Sequence, residues 1–371
     1  MKTVAFIRAT GIYDDSRSTK EICALAENGY CVKVLGWDRD GTSREKCEAS
    51  FGDLKGNVSF HFYDVRAEHG IGLRHIDKLL GWLKWVKKTL ETIDNLEVVH
   101  ACDLDSGISA YRFCKKHCKP LVYDIFDYYI DTHNVPGFVR GFVEKLEIDV
   151  INYAAVTIIC TEERKEQISK ASPKKLIVIH NSPDVESPVA QGDMELDYAY
   201  CGSMSDKRLI FEILDESRNN TDLSVSMAGY GKHTDKAIEL ANAYEHFEFK
   251  GHLSYSEVLT LEANAKVLAA IYEPTIRNHR LCAPNKFYEA LALAKPLIVC
   301  KGTGIDKIVV EHNIGIAIDY DSKQFYDALR FLLNNPSMRE EMGNRARNLY
   351  EDKYRWSEMK KVLSEAYRQI F

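Results

Sequence analysis

Lys286 and Glu289 stand three positions apart in the stretch Leu281 to Gly304, LCAPNKFYEALALAKPLIVCKGTG. Residues at that spacing share one side of a helix, so a cation and a carboxylate are offered together. The pair suits a ligand that carries phosphate and sugar hydroxyls, because the ammonium neutralises the one and the carboxylate accepts hydrogen bonds from the other. Neighbouring residues add to this. Pro284 and Asn285 suit the first turn of a helix predicted over Lys286–Ala294, where Phe287, Ala290, Leu291 and Ala294 would face a core and leave Lys286 and Glu289 presented, not buried. Lys295-Pro296 would stop that helix, Leu297–Cys300 reads as a buried parallel strand, and Gly302-Thr303-Gly304 turns at its carboxyl end. Free N–H groups at a helix start and a glycine turn suit a diphosphate, and a nucleotide sugar needs all three contacts. The plain alternative is an ordinary βα unit with a solvated Lys and Glu.

The elements that must carry this stretch follow from the rest of the chain. With 371 residues and 45% hydrophobic content, the sequence is long enough for two cores. A formal net charge of -6 gives no support to nucleic-acid binding. Met1–Arg8 reads as a strand and not a signal peptide, and no apolar run reaches membrane-spanning length, so a cytoplasmic protein is expected. The 10 Cys are scattered without CxxC, which favours buried free thiols over a metal site.

Strand and helix alternate through the first half. Thr3–Ile7 is a strand with the loop Arg8-Ala9-Thr10-Gly11 at its end, Ser18–Asn28 a helix, and Cys31–Leu35 a second strand. That loop has no GxGxxG, so a dinucleotide-binding dehydrogenase is unsupported. Strands are further expected at Asn57–Val65, Val98–His100, Leu121–Tyr123, Val156–Cys160 and Ile177–Pro183, which makes a parallel, doubly wound α/β sheet. Ile71–Ile93 (residues 71–93) has a wide apolar stripe that includes Leu73, and Trp82 and Trp85 beside Lys84, Lys87 and Lys88. A core-facing helix explains it, with contact to an anionic membrane surface as the alternative. Asp184–Asp197 is the best linker, and the alternation restarts at Tyr198–Cys201, Leu223–Ala228, Phe247–Phe249 and Val267–Tyr272. Two such sheets across a linker are expected to face each other over a cleft.

The segments GSMSDKR (202–208), MAGYGK (227–232), FKGHLSYSEV (249–258), YEP (272–274) and PNKFYEALALAKPLIV (284–299) occur in an order that resembles the donor domain of glycosyltransferase family 4. VVHACDLDSG (98–107), LVYDIFDYY (121–129), VTIICTEE (156–163) and VIHNSPD (178–184) are similar to its acceptor-domain segments, and YRWSEMKKVLSEAYRQIF (354–371) to its returning last helix. The resemblance implies a GT-B fold: an acceptor domain at 1–183, a linker at 184–197, a donor domain at 198–353, and a helix at 354–371 crossing back. It implies retaining transfer of a sugar from a nucleotide diphosphate donor to a hydroxyl of a glycan or lipid-linked acceptor, in bacterial surface polysaccharide synthesis. No metal or other cofactor is implied.

By the same resemblance Lys207, Lys286 and Asp127 are the catalytic candidates. Donor binding falls to Gly202, Ser203, Gly229, Tyr230, Gly231, His252, Leu253, Asn285, Phe287, Glu289, Gly302, Thr303 and Gly304, and acceptor binding to Arg8, Gly11, Asp103 and Asp124. Asp124 and Asp127 are expected on a loop facing the cleft. Two positions depart from the family pattern: Leu281 stands where the first Glu of E-x7-E is usual, and Phe126 where a His is usual. An epimerase acting on a sugar nucleotide, a glycoside hydrolase and an inactive binding protein are the alternatives.

Overall fold

The computed structural model describes residues 1–371 apart from 14, 52, 53, 55, 68–75, 134 and 189–195. Leu73, the first residues of the expected helix 71–93 and the middle of the expected linker 184–197 therefore lie outside the described residues. By contacts the chain divides into two units, Met1–His180 with Met359–Phe371, and Asn181–Glu358.

The first unit is built on seven strands: β1 (Thr3–Arg8), β2 (Cys31–Asp38), β3 (Val58–Asp64), β4 (Leu96–Cys102), β5 (Leu121–Ile125), β6 (Val156–Ile159) and β7 (Leu176–Val178). They lie in the order β3-β2-β1-β4-β5-β6-β7, all parallel. Their runs are short and apolar because helices cover both faces; Val4 to Ile7 is wholly buried. The chain winds outward from β1 in one direction and from β4 in the other, so the order reverses between β1 and β4. In open α/β sheets that reversal, outside the carboxyl ends of the strands, is where ligands bind.

The helix Ile76–Leu90 faces the core, as its apolar stripe leads one to expect. Trp82 on it is fully buried: its ring stacks on Trp37 at 5.7 Å and on Trp85 at 5.5 Å, and Nε1 donates to the Asp105 carbonyl at 3.0 Å. Lys84, Lys87 and Lys88 remain exposed on the opposite side. Asp124, expected on a loop, is the fourth residue of β5 and wholly buried. The C-terminal segment completes this core, with Leu363, Ala366 and Tyr367 buried and the Tyr367 hydroxyl 2.9 Å from His100 Nδ1.

The second unit has six parallel strands: β8 (Leu196–Ser203), β9 (Val225–Tyr230), β10 (Phe247–Phe249), β11 (Ala265–Ala270), β12 (Leu297–Cys300) and β13 (Gly315–Ile318). Their order is β10-β9-β8-β11-β12-β13, which reverses between β8 and β11. The edge strand β13, absent from the sequence reading, is four residues long and mostly half-buried, too short for a pattern to register. The helix predicted over Lys286–Ala294 spans Asn285–Ala292. Ala294 takes a left-handed φ of 56°, and the Lys295 N–H closes back on the Ala290 carbonyl at 2.9 Å, so the chain turns out of the helix before Pro296 is reached.

Candidate functional site

In the second unit the reversal between β8 and β11 gathers most of the donor-site candidates. β8 ends in Gly202-Ser203 and pairs in register with Gly229-Tyr230 of β9. Gly202, Gly229 and Gly231 have φ of 150°, 143° and 145°, which side chains rarely tolerate, and a Cβ on Gly229 would fall 1.8 Å from the Gly202 carbonyl oxygen. These glycines let two strand ends run close together and leave backbone open at the sheet edge. Ser203 is exposed there, with its carbonyl accepting from the Tyr200 hydroxyl at 2.7 Å. Tyr230 is 66% exposed and its ring lies 5.8 Å from that of exposed His252, beside half-buried Leu253; flat rings at a pocket edge suit a nucleobase.

Lys207 sits exposed in the turn Asp206–Arg208 that follows β8. The turn is held firmly. Its Lys207 carbonyl accepts from the Glu273 N–H at 3.2 Å, and Tyr320 Oη donates to the Asp206 carbonyl at 2.5 Å while accepting from the Leu209 N–H at 2.8 Å. Arg208, which the sequence reading passed over, stacks 3.7 Å above the ring of Tyr272, the second residue past β11. Two cations thus stand at the reversal point, where charge on a diphosphate would be met.

The pair that opened the sequence reading is placed differently from expectation. Glu289 is 2% exposed and the Lys286 side chain 13%, so the pair is buried, not presented. Lys286 Nζ lies 3.9 Å from Glu262 Oε1 and 4.7 Å from the centre of the Tyr200 ring. Glu262, on the helix Tyr255–Ala263, is itself 2% exposed. Burial holds the Lys286 ammonium down, but the Glu262 carboxylate outweighs it and the pKa is pushed up. Glu262 is driven well above the usual carboxylate range by burial first and then by the neighbouring Glu289. A helix period tells which residues share a side; it does not tell that Glu262 covers that side.

Asn285 is exposed at the start of its helix, where N–H groups remain for a ligand. Phe287 is a core ring, 1% exposed and set edge-on to Tyr288 and Tyr354. In the turn after β12, the Gly302 N–H is taken by Asp306 Oδ2 at 2.8 Å, and Thr303 is wholly buried with its hydroxyl donating to the Cys300 carbonyl at 2.6 Å. Gly304 has φ 81° and opens the helix Ile305–Glu311. Phe287 and the Thr303 side chain therefore shape the site from within, and the Gly302 N–H is already used. Half-buried Leu281 follows the short helix Arg277–Arg280, and Glu273 accepts from the Thr275 hydroxyl at 2.6 Å.

At the reversal in the first unit, Arg8 ends β1 and Asp103 follows β4. Arg8 Nε donates to Asp15 at 2.9 Å and Nη1 to Asp103. Asp103 Oδ1 accepts from the Phe126 and Asp127 N–H groups at 2.9 and 3.1 Å, so it pins the loop after β5; burial pushes its pKa up to about 7. The Phe126 ring has two guanidinium groups close to it, Arg8 at 4.0 Å and Arg17 at 4.6 Å. Asp127 has a side chain 47% exposed and paired with Arg164 at 3.1 Å, and its carboxylate is the one acidic candidate here that reaches solvent freely. The Gly11 carbonyl accepts from Cys47 Sγ at 3.3 Å.

Asp124, expected to bind acceptor from a loop, is wholly buried among charged partners. Arg17 Nη2 donates to it at 2.6 Å, Arg17 Nε to Glu21 at 3.1 Å, and His100 Nε2 lies 3.7 Å away. Burial opposes its ionisation, but Arg17 and His100 outweigh that and hold the carboxyl below its usual range. Glu21 is pushed well up by burial and by Asp124. His100, Cys102 and Asp124 come together within 4.8 Å, a grouping that scattered cysteines and histidines do not announce in sequence. All ten cysteines are free thiols.

Residues 207–349 match the family model described as glycosyl transferases group 1. No curated relative matches the sequence. Among solved structures, sucrose-phosphate synthase from Thermosynechococcus elongatus aligns at a TM-score of 0.74 and 13% identity, covering 100% of this chain and 99% of that one. HepE from Anabaena in complex with UDP-glucose aligns at 0.73 and 13% identity, with 100% of both chains covered. A mutant of TarM from S. aureus, in complex with UDP and other ligands, aligns at 0.66 and 12% identity over 100% of this chain and 99% of that one. These likenesses give the chain the GT-B fold, and residues 207–349 resemble the glycosyl transferases group 1 family, which supports a transferase.

Proposed function

We propose that the protein transfers a glycosyl group from a nucleoside diphosphate sugar to a hydroxyl of a glycan or lipid-linked acceptor, with retention at the anomeric carbon, as family 4 enzymes of surface polysaccharide synthesis do. The observation that carries the reading is the reversal point between β8 and β11. There a glycine-lined sheet edge stands beside Lys207 and Arg208, and the stretch matched to glycosyl transferases begins at Lys207 and includes Gly229 and Gly231. UDP or UDP-glucose in neighbouring structures supports uridine as the base.

The reaction needs no protein nucleophile in this reading. As the glycosidic bond breaks, charge grows on the leaving diphosphate, and Lys207, Arg208 and the N–H groups at Asn285 stabilise it more in the transition state than in the ground state. These cations take the part a divalent metal plays elsewhere, so no cofactor beyond the donor is proposed. Asp127 and the loop pinned by Asp103 serve the acceptor hydroxyl. Among the described residues no helix is long and apolar enough to cross a membrane. A lipid-linked acceptor would be met from the cytosolic side through the exposed Leu80, Lys84, Lys87 and Lys88.

The test is thermal shift with UDP, GDP, ADP and TDP, since a ligand of the folded state raises its melting temperature. UDP should give the largest shift. Lys207→Ala and Arg208→Ala should each lower turnover, one of them by more than it lowers donor affinity. Wild-type turnover in both variants would remove the two cations from the mechanism. Epimerisation of the sugar nucleotide without acceptor would favour the epimerase alternative.

A further inference from the structure

We infer that Glu262 is a positioning residue of the donor site, acting with Lys286 to fix the Glu289 carboxyl from beneath. The inference rests on the reading of the second unit as a nucleotide-sugar site. Glu262 lies on the helix Tyr255–Ala263, which packs on β8 and β11, the two strands that flank the reversal point. Its Oε1 faces Lys286 Nζ at 3.9 Å, and its Oε2 is buried with no hydrogen-bond partner. The ammonium also touches the base of the glycine edge. A Cβ on Gly202 would come 3.2 Å from Lys286 Nζ, so the glycine makes the room in which this cation sits. The Tyr200 ring lies against it, its centre 4.7 Å from Nζ.

Two buried carboxyls with one cation cannot both ionise alone, and a single shared proton makes the group neutral and satisfies the buried oxygens. After burial, Glu289 is the neighbour that drives the Glu262 carboxyl up, as a proton shared between two adjacent carboxyls would. Lys286 is then the counterion of this group and not the cation that meets the diphosphate. Glu262 decides where the Glu289 carboxylate points, and through Glu289 how a ribose is held.

Four variants test this: Glu262→Ala, Glu262→Gln, Lys286→Met, and Glu262→Gln combined with Lys286→Met. The probe is whichever of UDP, GDP, ADP and TDP binds wild type most tightly, followed by calorimetry, with donor KM and turnover measured alongside. Glu262→Ala should weaken binding about tenfold, the size expected for a misplaced charged hydrogen-bond partner, with turnover at saturating donor much less changed. Glu262→Gln should recover most of that, because its amide can still donate to Glu289. Lys286→Met should weaken binding, and the double variant should recover it, since one carboxyl leaves together with the cation. A double variant as weak as Lys286→Met would mean that Lys286 touches the nucleotide itself, and would overturn the inference. So would a Glu262→Ala variant that melts lower yet binds nucleotide as wild type does. Unfolding gives a readout that needs no nucleotide: the Glu262→Gln and Lys286→Met effects on stability should be non-additive, and additivity would overturn the pairing. Non-additivity in a wild-type background that binds none of the four nucleotides would instead overturn the nucleotide-sugar reading, and with it the site the pair serves.

Discussion

Glu289 shows what a single buried carboxylate can be asked to do. It is 2% exposed, so any ribose that reaches it gains a hydrogen bond in a site where water competes poorly. Glu289→Ala should therefore weaken donor binding by roughly 1.5 to 3 kcal/mol, the range for a hydrogen bond to a charged group, with the fold retained. Calorimetry with the nucleotide sugar checks it, and unchanged affinity would remove Glu289 from the site. Phe126 makes the complementary point. Its ring lies close to both the Arg8 and Arg17 guanidinium groups, so this position contributes packing and offers no proton.

At the scale of elements, the donor site depends on how closely β8 and β9 run. Gly229 has no space for a side chain, with the Gly202 carbonyl 1.8 Å from where a Cβ would stand. Gly229→Ala should force the strand ends apart and cost about 1–3 kcal/mol or more, with nucleotide affinity lost in parallel. Urea unfolding and calorimetry on the same variant read both. The helix Ile76–Leu90 carries a separate prediction. Trp82 belongs to the core, so the proposed membrane contact would fall to the exposed Leu80 and to the lysines at 84, 87 and 88, each lysine worth about 1 kcal/mol near anionic lipid. Flotation with anionic vesicles should recover wild type at low salt, and a variant with Glu at Lys84, Lys87 and Lys88 should stay behind. Equal behaviour of the two would leave this helix as a core element with solvated lysines.

At the scale of the molecule, the two units differ in how the chain supplies them. The second is continuous from Asn181 to Glu358, with its own six-stranded sheet and a core that runs from Tyr198 to Met342. The first is complete only with Met359–Phe371, which buries Leu363, Ala366 and Tyr367 and brings the Tyr367 hydroxyl to His100. A fragment of residues 181–358 should therefore melt cooperatively and give a thermal shift with the nucleotide that shifts the full chain. Residues 1–180 alone should melt far lower than the same segment joined to 359–371. Calorimetric scans of the three fragments decide it, and a stable 1–180 would show that the last helix adds little to that core.

The alternation of short apolar runs with helical stretches, read from sequence, was enough for two parallel sheets, because strands buried on both faces have to be continuous and apolar. Glycines at 202, 229, 231, 302 and 304 were legible for a similar reason, since a positive φ or a close backbone approach excludes most other residues. The surroundings of the charged groups were not legible. Lys286 and Glu289 share a helix side, as their spacing requires, but a helix wheel says nothing of what packs against that side, and Glu262 comes from another helix. Asp124 reads as a loop aspartate because the expected strand stops at Tyr123; the length of β5 and the arrival of Arg17 make it a buried anion. Trp82 was legible as part of a core-facing stripe, but its partners Trp37 and Trp85 were not. Local periodicity sets which residues point the same way, and only long-range packing sets whether that way is solvent, ligand or core, because the burial of a charge depends on partners far away in the chain.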